Sequence, residues 1–323
     1  MFKHKIVFLL FVFCVSCSLT CFSQETTLKK IDVITFVEAN MTGMFLKKLK
    51  EEFGKAGLVE GKDFSLRVRS AQGEMSVLPT LIDSVVADKS DLLIAMNGPV
   101  LQTAIQRAPK STIVFSILSD PFVLGAGKSD TEHLANVTGT YLVNPAKELF
   151  EGIASMKPAI KKLGCLVASS DMNSMSVLEK LQDAAKKQNI ELVKQPYDTV
   201  GDIFLAAQAL GEKGIDGFVQ LTDVFHSMTS ASLIKVAQAK KIPVFGLTSN
   251  YLAEGFLMAA YPDREKAGQQ FVEIALKVFK GENPGKIPFQ NNANLGVFYK
   301  VNEKVAAELG ITIPEALLQK AKQ

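Results

Sequence analysis

The chain has 323 residues, of which 47% are hydrophobic and 21% are charged. These values are ordinary for a folded protein and exclude an intrinsically disordered chain, while the length is enough for two domains. With 36 Lys and Arg residues against 33 Asp and Glu residues, the chain is nearly neutral. It lacks the strongly basic balance of nucleic-acid-binding proteins, so we expect no nucleic-acid partner.

The first residues have the pattern of an export signal. Met1 to Lys5 form a basic start, and Ile6 to Val15 form an apolar run that is too short to span a bilayer as a helix. We therefore predict a signal peptide over residues 1–23 and a location in the periplasm or cell envelope. The tripeptide that ends at Cys17 resembles the end of a lipoprotein signal and predicts lipidation of Cys17, with ordinary cleavage near Ser23 as the alternative.

The cysteines predict neither a disulfide nor a metal site. Cys14, Cys17 and Cys21 lie inside or beside the predicted signal, so their spacing is not that of a metal or redox motif in the mature chain. Cys165 lies within the apolar run 163–167, where we expect a buried and unreactive thiol.

Beyond residue 30, short β-branched runs alternate with longer amphipathic ones. The first series predicts strands at 31–37, 64–69, 91–96, 112–117 and 136–142, with helices at 43–56, 75–88 and 98–107. The second series predicts strands at 162–168, 190–195, 216–221 and 242–246, with helices at 174–188, 201–213 and 227–239. Such alternation is typical of parallel sheets with helical crossovers, and it predicts an α/β fold with two similar lobes.

The remaining residues look like two more strand–helix units, at 256–280 and 295–309. We expect one of these units to complete each lobe. The predicted division is therefore 30–142 plus 250–282 for lobe 1 and 143–249 plus 283–323 for lobe 2. The chain would then cross between the lobes three times and form a hinge.

Catalytic and nucleotide-binding motifs are missing from the sequence. There is no G-x-S-x-G elbow and no H-E-x-x-H, and the segment 122–130 fails as a P-loop because Phe122 stands where glycine is needed. We expect no catalysis, no metal and no cofactor. An α/β enzyme that uses Glu38 or Asp223 as a base is the alternative.

The ends of the predicted strands carry the candidate binding residues. In open α/β sheets, ligands bind beyond the carboxyl ends of the strands. Most residues there are polar, come from both series, and could also cap helices. The candidate ligand-binding residues are Glu38, Asn40, Asn97, Gly98, Ser119, Asp120, Met172, Asn173, Ser174, Asp223, Phe225, Asn250 and Tyr251.

An ordered series of segments resembles the type I periplasmic substrate-binding proteins of ABC transporters, in particular the subgroup associated with tryptophan and other aromatic amino acids. The segments are FVEANMTG, GLVEGKDF, AQGEMSVLPTL, SILSDP, NVTG and KIPVFG. The resemblance spans residues 30 to 313. It implies two Rossmann-like lobes with parallel sheets, three hinge crossovers, a ligand enclosed between the lobes, and ABC permease and ATPase subunits as partners.

Three departures from the family pattern concern the ligand. Asn97-Gly98-Pro99 replaces a T-P-A type start, residues 222–225 replace T-D-N-T, and residues 248–251 replace a more acidic S-D-E sequence. We therefore expect the fold of the family, and the resemblance alone does not identify the ligand.

We expect an exported binding protein of an ABC importer that captures an aromatic or other amino acid. The alternatives are a sensor that reports to a membrane receptor, or a binder of another small heterocycle. The helix that opens at Asn97-Gly98 suits an α-carboxylate, and Asp223, or else Glu38, suits the α-ammonium. The remaining expected contacts are polar ones at the cleft edge from Asn40 and Asn173, and apolar walls from Phe225, Tyr251 and Met172.

Overall fold

A computed structural model describes residues 28–38, 40–169, 171–222 and 225–322, with only the backbone of Asn40. The predicted signal peptide, Cys17 and Asp223 lie outside these residues. Within the described ranges, we find no helix of the length and hydrophobicity that crossing a membrane requires.

Strands and helices alternate along most of the chain. The strands are β1 (Lys29–Thr35), β2 (Phe64–Ser70), β3 (Leu92–Met96), β4 (Ile113–Ser116), β5 (Val137–Tyr141), β6 (Lys162–Ala168), β7 (Glu191–Tyr197), β8 (Gly217–Gln220), β9 (Val244–Gly246), β10 (Met258–Pro262), β11 (Gln290–Asn291) and β12 (Val297–Val301). The helices are α1 (Asn40–Lys55), α2 (Leu78–Ala87), α3 (Gly98–Arg107), α4 (Ala146–Ala154), α5 (Met172–Lys187), α6 (Ile203–Gly211), α7 (His226–Lys240), α8 (Arg264–Phe279), α9 (Glu303–Glu308) and α10 (Glu315–Ala321).

The strands form two six-stranded sheets, with the orders β11-β5-β4-β3-β1-β2 and β12-β10-β9-β8-β6-β7. Pairing is parallel throughout, except that β12 runs antiparallel to β10. Central strands such as β3 are buried along their whole length, because helices cover both faces of a parallel sheet. The predicted two-lobe α/β architecture is confirmed.

We call lobe 1 the first sheet with α1–α3 and α8, and lobe 2 the second sheet with α4–α7, α9 and α10. Aromatic rings fill one side of lobe 1, where α1 and α8 cover the sheet. Phe45 stacks on Phe271 with ring centroids 5.6 Å apart, and Phe53 contacts Phe279 at 5.1 Å. Burial of such large side chains makes lobe 1 a firm support for the loops at its strand ends.

The chain passes between the sheets three times, but two crossings differ from the expected division. Residues 250–262 were expected in lobe 1, whereas β10 pairs with β9 and β12 in lobe 2. The chain therefore returns to lobe 1 between Pro262 and Asp263. One leftover strand–helix unit was expected to complete each lobe, yet β10 is buried and paired on both edges in lobe 2.

The third crossing comes later than expected. Residues from 283 onward were expected in lobe 2, whereas β11 pairs with β5 in lobe 1. Thr138 also donates a hydrogen bond to the Ile287 carbonyl at 2.8 Å, which holds this segment against lobe 1. The glycine-containing turn at 281–285 is therefore local to lobe 1, and the chain leaves for β12 after Asn291.

Candidate ligand-binding site

A cavity of about 190 Å³ lies between the lobes. It is many times larger than the roughly 10–15 Å³ that one water needs, so it has room for a small organic molecule. Its lining comes from the segments that follow β1, β3, β4, β5, β8, β9 and β10, together with residues at the starts of α5 and α7. The cavity thus lies at the carboxyl ends of strands from both sheets, where α/β folds bind ligands.

Seven of the expected binding residues line this cavity. They are Glu38, Asn97, Gly98 and Ser119 from lobe 1, and Asn173, Asn250 and Tyr251 from lobe 2. Their contact with a ligand stays a prediction. The side chain of Asn40 and all of Asp223 lie outside the described residues.

Asn97 has a structural role besides its place in the lining. Its Oδ1 accepts hydrogen bonds from the Thr35 hydroxyl at 3.0 Å and the Phe36 amide at 3.2 Å. It thereby ties the end of β1 to the start of α3. The next residue, Gly98, permits close approach of lobe 2, because a Cβ there would lie 3.1 Å from the Asn173 Cβ.

Four expected binding residues lie outside the cavity lining. Two of them have clear packing roles. Phe225 packs edge to face on Phe36 of lobe 1 at 5.7 Å and on Tyr197 of lobe 2 at 6.3 Å. Ser174 is buried and donates to the Asp171 carboxylate at 2.5 Å at the start of α5. Both side chains are occupied by protein partners, and their expected contact with a ligand stays a prediction.

Met172 and Asp120 are the other two, and both contact the opposite lobe. Met172 is 47% exposed, and its sulfur lies 3.3 Å from Nε2 of Gln102. Asp120 Oδ2 accepts from the Ser176 hydroxyl at 2.6 Å and from Lys180 Nζ at 3.2 Å. These residues join the lobes beside the cavity and do not line it.

Asp120 belongs to a set of contacts that we call the cross-lobe clasp: Ser119, Asp120, Asn173, Ser176 and Lys180. Asn173 Oδ1 accepts from the backbone amides of Ser119 and Asp120 at 2.8 and 3.0 Å. Burial alone would raise the pKa of Asp120, but the hydrogen bond from Ser176 and the charge of Lys180 outweigh it and hold the pKa below the usual value. The carboxylate is therefore the form that the clasp stabilises.

Several lining residues were not expected from the sequence. They are Val37, Met41, Ile117, Leu118, Leu142, Asn144, Thr222, His226, Ser227, Leu247, Thr248, Pro262 and Arg264. Arg264 is the notable omission, since it is a charged residue at the first position of α8. The sequence places Arg264 directly after the apolar strand β10, at a strand end where ligands bind. It was not recognised because β10 was expected in lobe 1.

A family model described as ABC transporter substrate binding protein matches residues 30–323. Among curated proteins, a tyrosine-binding protein of Clostridioides difficile is 30% identical over 247 residues, which cover 75% of this chain and 71% of that protein.

Two solved structures have the same fold. A Streptococcus pneumoniae ABC domain in complex with L-Trp is 24% identical, with a TM-score of 0.85 over 92% of this chain and 99% of that one. A ligand-free, open substrate-binding protein from Clostridium difficile is 25% identical, with a TM-score of 0.65 over 89% and 97%. The overall arrangement of the present chain is therefore nearer to the first of these structures than to the open one.

Proposed function

Because the chain belongs to the family of ABC transporter substrate-binding proteins, we propose that it captures an aromatic amino acid between its lobes and presents it to an ABC importer. Members of this family are exported binding proteins and not enzymes. Energy for transport comes from the membrane subunits, and this chain contributes selective capture.

The observation that carries the proposal is the interlobe cavity at the strand ends, lined by polar groups from both lobes. It also offers aromatic surface, because Tyr251 and His226 pack edge to face with ring centroids 6.4 Å apart. A flat ring binds well against such side chains. The tyrosine-binding relative and the tryptophan complex support an aromatic side chain on the ligand.

The ligand's ammonium group needs an anionic or carbonyl partner. Glu38 lines the cavity from lobe 1, and Asp223 is the other candidate from the sequence. We propose that one of these two carboxylates receives the ammonium. Asn173 lies close to the junction of the lobes, so it adds a polar contact at the cleft edge.

Closure of the lobes follows from ligand binding. A ligand shifts a protein toward the closed state only if it binds that state more tightly, and contact with both lobes supplies this difference. The cross-lobe clasp is available only when the lobes meet, so it adds to the stability of the closed form.

The decisive test is calorimetric titration of the purified protein against the twenty amino acids. We expect tyrosine, tryptophan or phenylalanine to bind most tightly. Mass spectrometry of small molecules released from freshly purified, denatured protein should find the same compound. Binding no better than millimolar for all twenty would contradict the amino-acid assignment.

Processing at the N-terminus is a separate part of the proposal. We propose that the signal peptide is removed and that Cys17 carries a lipid anchor, which would tether the binding protein near its permease. Mass spectrometry of the protein from its native cell envelope should find a lipidated N-terminal Cys17. A mature chain that begins near Ser23 would contradict the lipid anchor and leave the export proposal standing. A chain that keeps Met1 would contradict both proposals.

A further inference from the structure

Arg264 reaches the cavity from the point where the chain re-enters lobe 1. It is the first residue of α8, two positions after the end of β10. Its guanidinium donates a hydrogen bond from Nη1 to Asn250 Oδ1 at 3.4 Å, which is long for such a bond. Its Nε is buried and has no partner among the described residues. One edge of the guanidinium, Nε with Nη2, is therefore unused.

Neighbouring carboxylates do not neutralise this charge. Asp263 accepts from the Lys266 amide at 3.0 Å and pairs with Lys266 Nζ at 3.2 Å. Glu265 pairs with Lys48 at 3.5 Å. Across the ranges that the structure describes, Arg264 forms no ion pair. The two acidic residues that flank it in sequence are committed to lysines.

The position of Arg264 is unfavourable for the folded chain by itself. A cation at a helix N-terminus faces the positive end of the helix dipole. Burial also lowers the pKa of Arg264 below its usual value, which shows that its surroundings disfavour the charge. Arginine nevertheless stays protonated in proteins. A partly buried positive group without an ion pair among the described residues, at the unfavourable end of a helix, can bind an external anion.

We propose that Arg264 binds the carboxylate of the ligand through its guanidinium N–H groups at the cavity wall. This inference rests on the proposed function for the identity of the ligand. Two parallel N–H donors match the two oxygens of a carboxylate, and the adjacent N-terminus of α8 favours the same negative charge. The assignment differs from the sequence-based one, which placed the carboxylate at the N-terminus of α3 beside Asn97-Gly98.

The test compares ligands with and without the carboxylate. L-Tyrosine is paired with tyramine and L-tryptophan with tryptamine, and each is titrated calorimetrically into wild type, Arg264→Gln and Arg264→Lys. Lys277→Gln is the control, because it removes an exposed cation from the last turn of the same helix. Circular dichroism and thermal unfolding verify that each variant is folded.

For wild type we expect each amino acid to bind more tightly than its amine. Arg264→Gln should weaken amino-acid binding by about ten- to a hundredfold and leave amine binding nearly unchanged, because only the carboxylate contact is lost. The amino-acid affinity of Arg264→Lys should lie between those of wild type and Arg264→Gln, since lysine keeps the charge without the paired donors. Lys277→Gln should match wild type. Undiminished preference for the amino acid in Arg264→Gln would overturn the inference and leave the proposed function standing.

Failure of the proposed function gives a different pattern. If wild type binds no aromatic amino acid, the same proteins are screened by thermal shift against small carboxylic acids and their primary amides. An acid preference that is present in wild type and lost in Arg264→Gln would support the inference while the aromatic amino-acid proposal fails. No acid preference in wild type would overturn the inference as well.

Discussion

Two arginine sites in lobe 1 differ in how their charge is balanced. Near the outer edge of the sheet, Arg67 donates to Asp32 at 2.7 and 2.9 Å and Arg69 donates to it at 2.9 Å, while Asp32 is only 1% exposed. At the cavity, Arg264 forms no ion pair with any described residue. Where an arginine serves the fold, the chain supplies a buried carboxylate. Where the chain supplies none, the structure leaves the counter-ion to a ligand.

The largest expected effect comes from breaking the balanced site. Asp32→Asn leaves Arg69 without its counter-ion and Arg67 with Asp88 alone, and it should lower the free energy of unfolding by about 2–3 kcal/mol. This is less than the roughly 3–5 kcal/mol seen for fully buried pairs, because the Arg67 side chain is 47% exposed. Chemical denaturation measures the change.

A matched control for Asp32 is Asp83→Asn. Asp83 pairs with Arg107 at the surface, where the two side chains are 52% and 44% exposed. Exposed pairs contribute about 0–1 kcal/mol. Equal losses for the two variants would show that burial does not set the strength of these pairs.

Protonation of Asp32 at low pH should remove the same contribution to the free energy of unfolding. Burial alone would raise the pKa of Asp32, but hydrogen bonds from Arg67 and Ser90 and the charge of Arg69 outweigh it, so the pKa lies below the usual value. A lowered carboxyl pKa gives stability that is present above the unfolded value near 4 and is lost as pH falls through the folded value. Below about pH 4, wild type should therefore lose stability more steeply than Asp32→Asn in denaturation experiments. Parallel slopes would contradict a lowered pKa.

A smaller effect is expected at the cross-lobe clasp. Asp120→Ala removes the acceptor for Ser176 and Lys180, so the closed form loses a charge-assisted contact that the open form does not have. Ligand affinity should fall by about three- to tenfold, which corresponds to roughly 0.7–1.4 kcal/mol. Small-angle scattering without ligand should also show a larger radius of gyration.

Glu132→Ala is the control for the clasp, since Glu132 is an exposed carboxylate that pairs within lobe 1 with Lys128. It should bind ligand as wild type does. If Asp120→Ala also binds as wild type does, the clasp does not contribute to closure.

The smallest effect is expected at the arginine without an ion pair among the described residues, Arg264. Without ligand, Arg264→Gln should leave the free energy of unfolding within about 1 kcal/mol of wild type, or raise it, because an unpaired buried charge is removed. Chemical denaturation of ligand-free protein measures this. A loss as large as that of Asp32→Asn would mean that Arg264 stabilises the fold.

Much of the fold was predictable because local sequence determines it. The alternation of β-branched and amphipathic runs predicts both sheets, since the central strands are buried and the helices pack against them. The pairing of β10 was not predictable, because its neighbours β9 and β12 come from segments before and after it. The two-residue strand β11 was missed because so short a segment carries no periodic pattern. The helix α4 was missed although Leu149, Phe150 and Ile153 are buried at helical spacing.

The site was predictable at the level of strand ends and less so for individual side chains. Seven of the candidates line the cavity because the carboxyl ends of parallel strands meet at one edge. Whether a polar residue there faces the cavity or the opposite lobe depends on how the lobes are placed. Asp120 and Phe225 illustrate this, since their partners Ser176 and Phe36 belong to the other lobe. No local pattern distinguishes them from Ser119 or Asn250.

The crossing between Pro262 and Asp263 has a consequence for the order of events in capture. In a hinged rotation, displacement grows with distance from the axis, so a residue beside a crossing moves little when the lobes swing apart. Arg264 lies one residue past that crossing and would present its charge in the open protein too. Capture then has two kinetic phases: a bimolecular encounter that added salt slows by screening the arginine, and a first-order closing whose rate is independent of ligand concentration. The acidic end of the ligand is the first part to arrive and the last to leave.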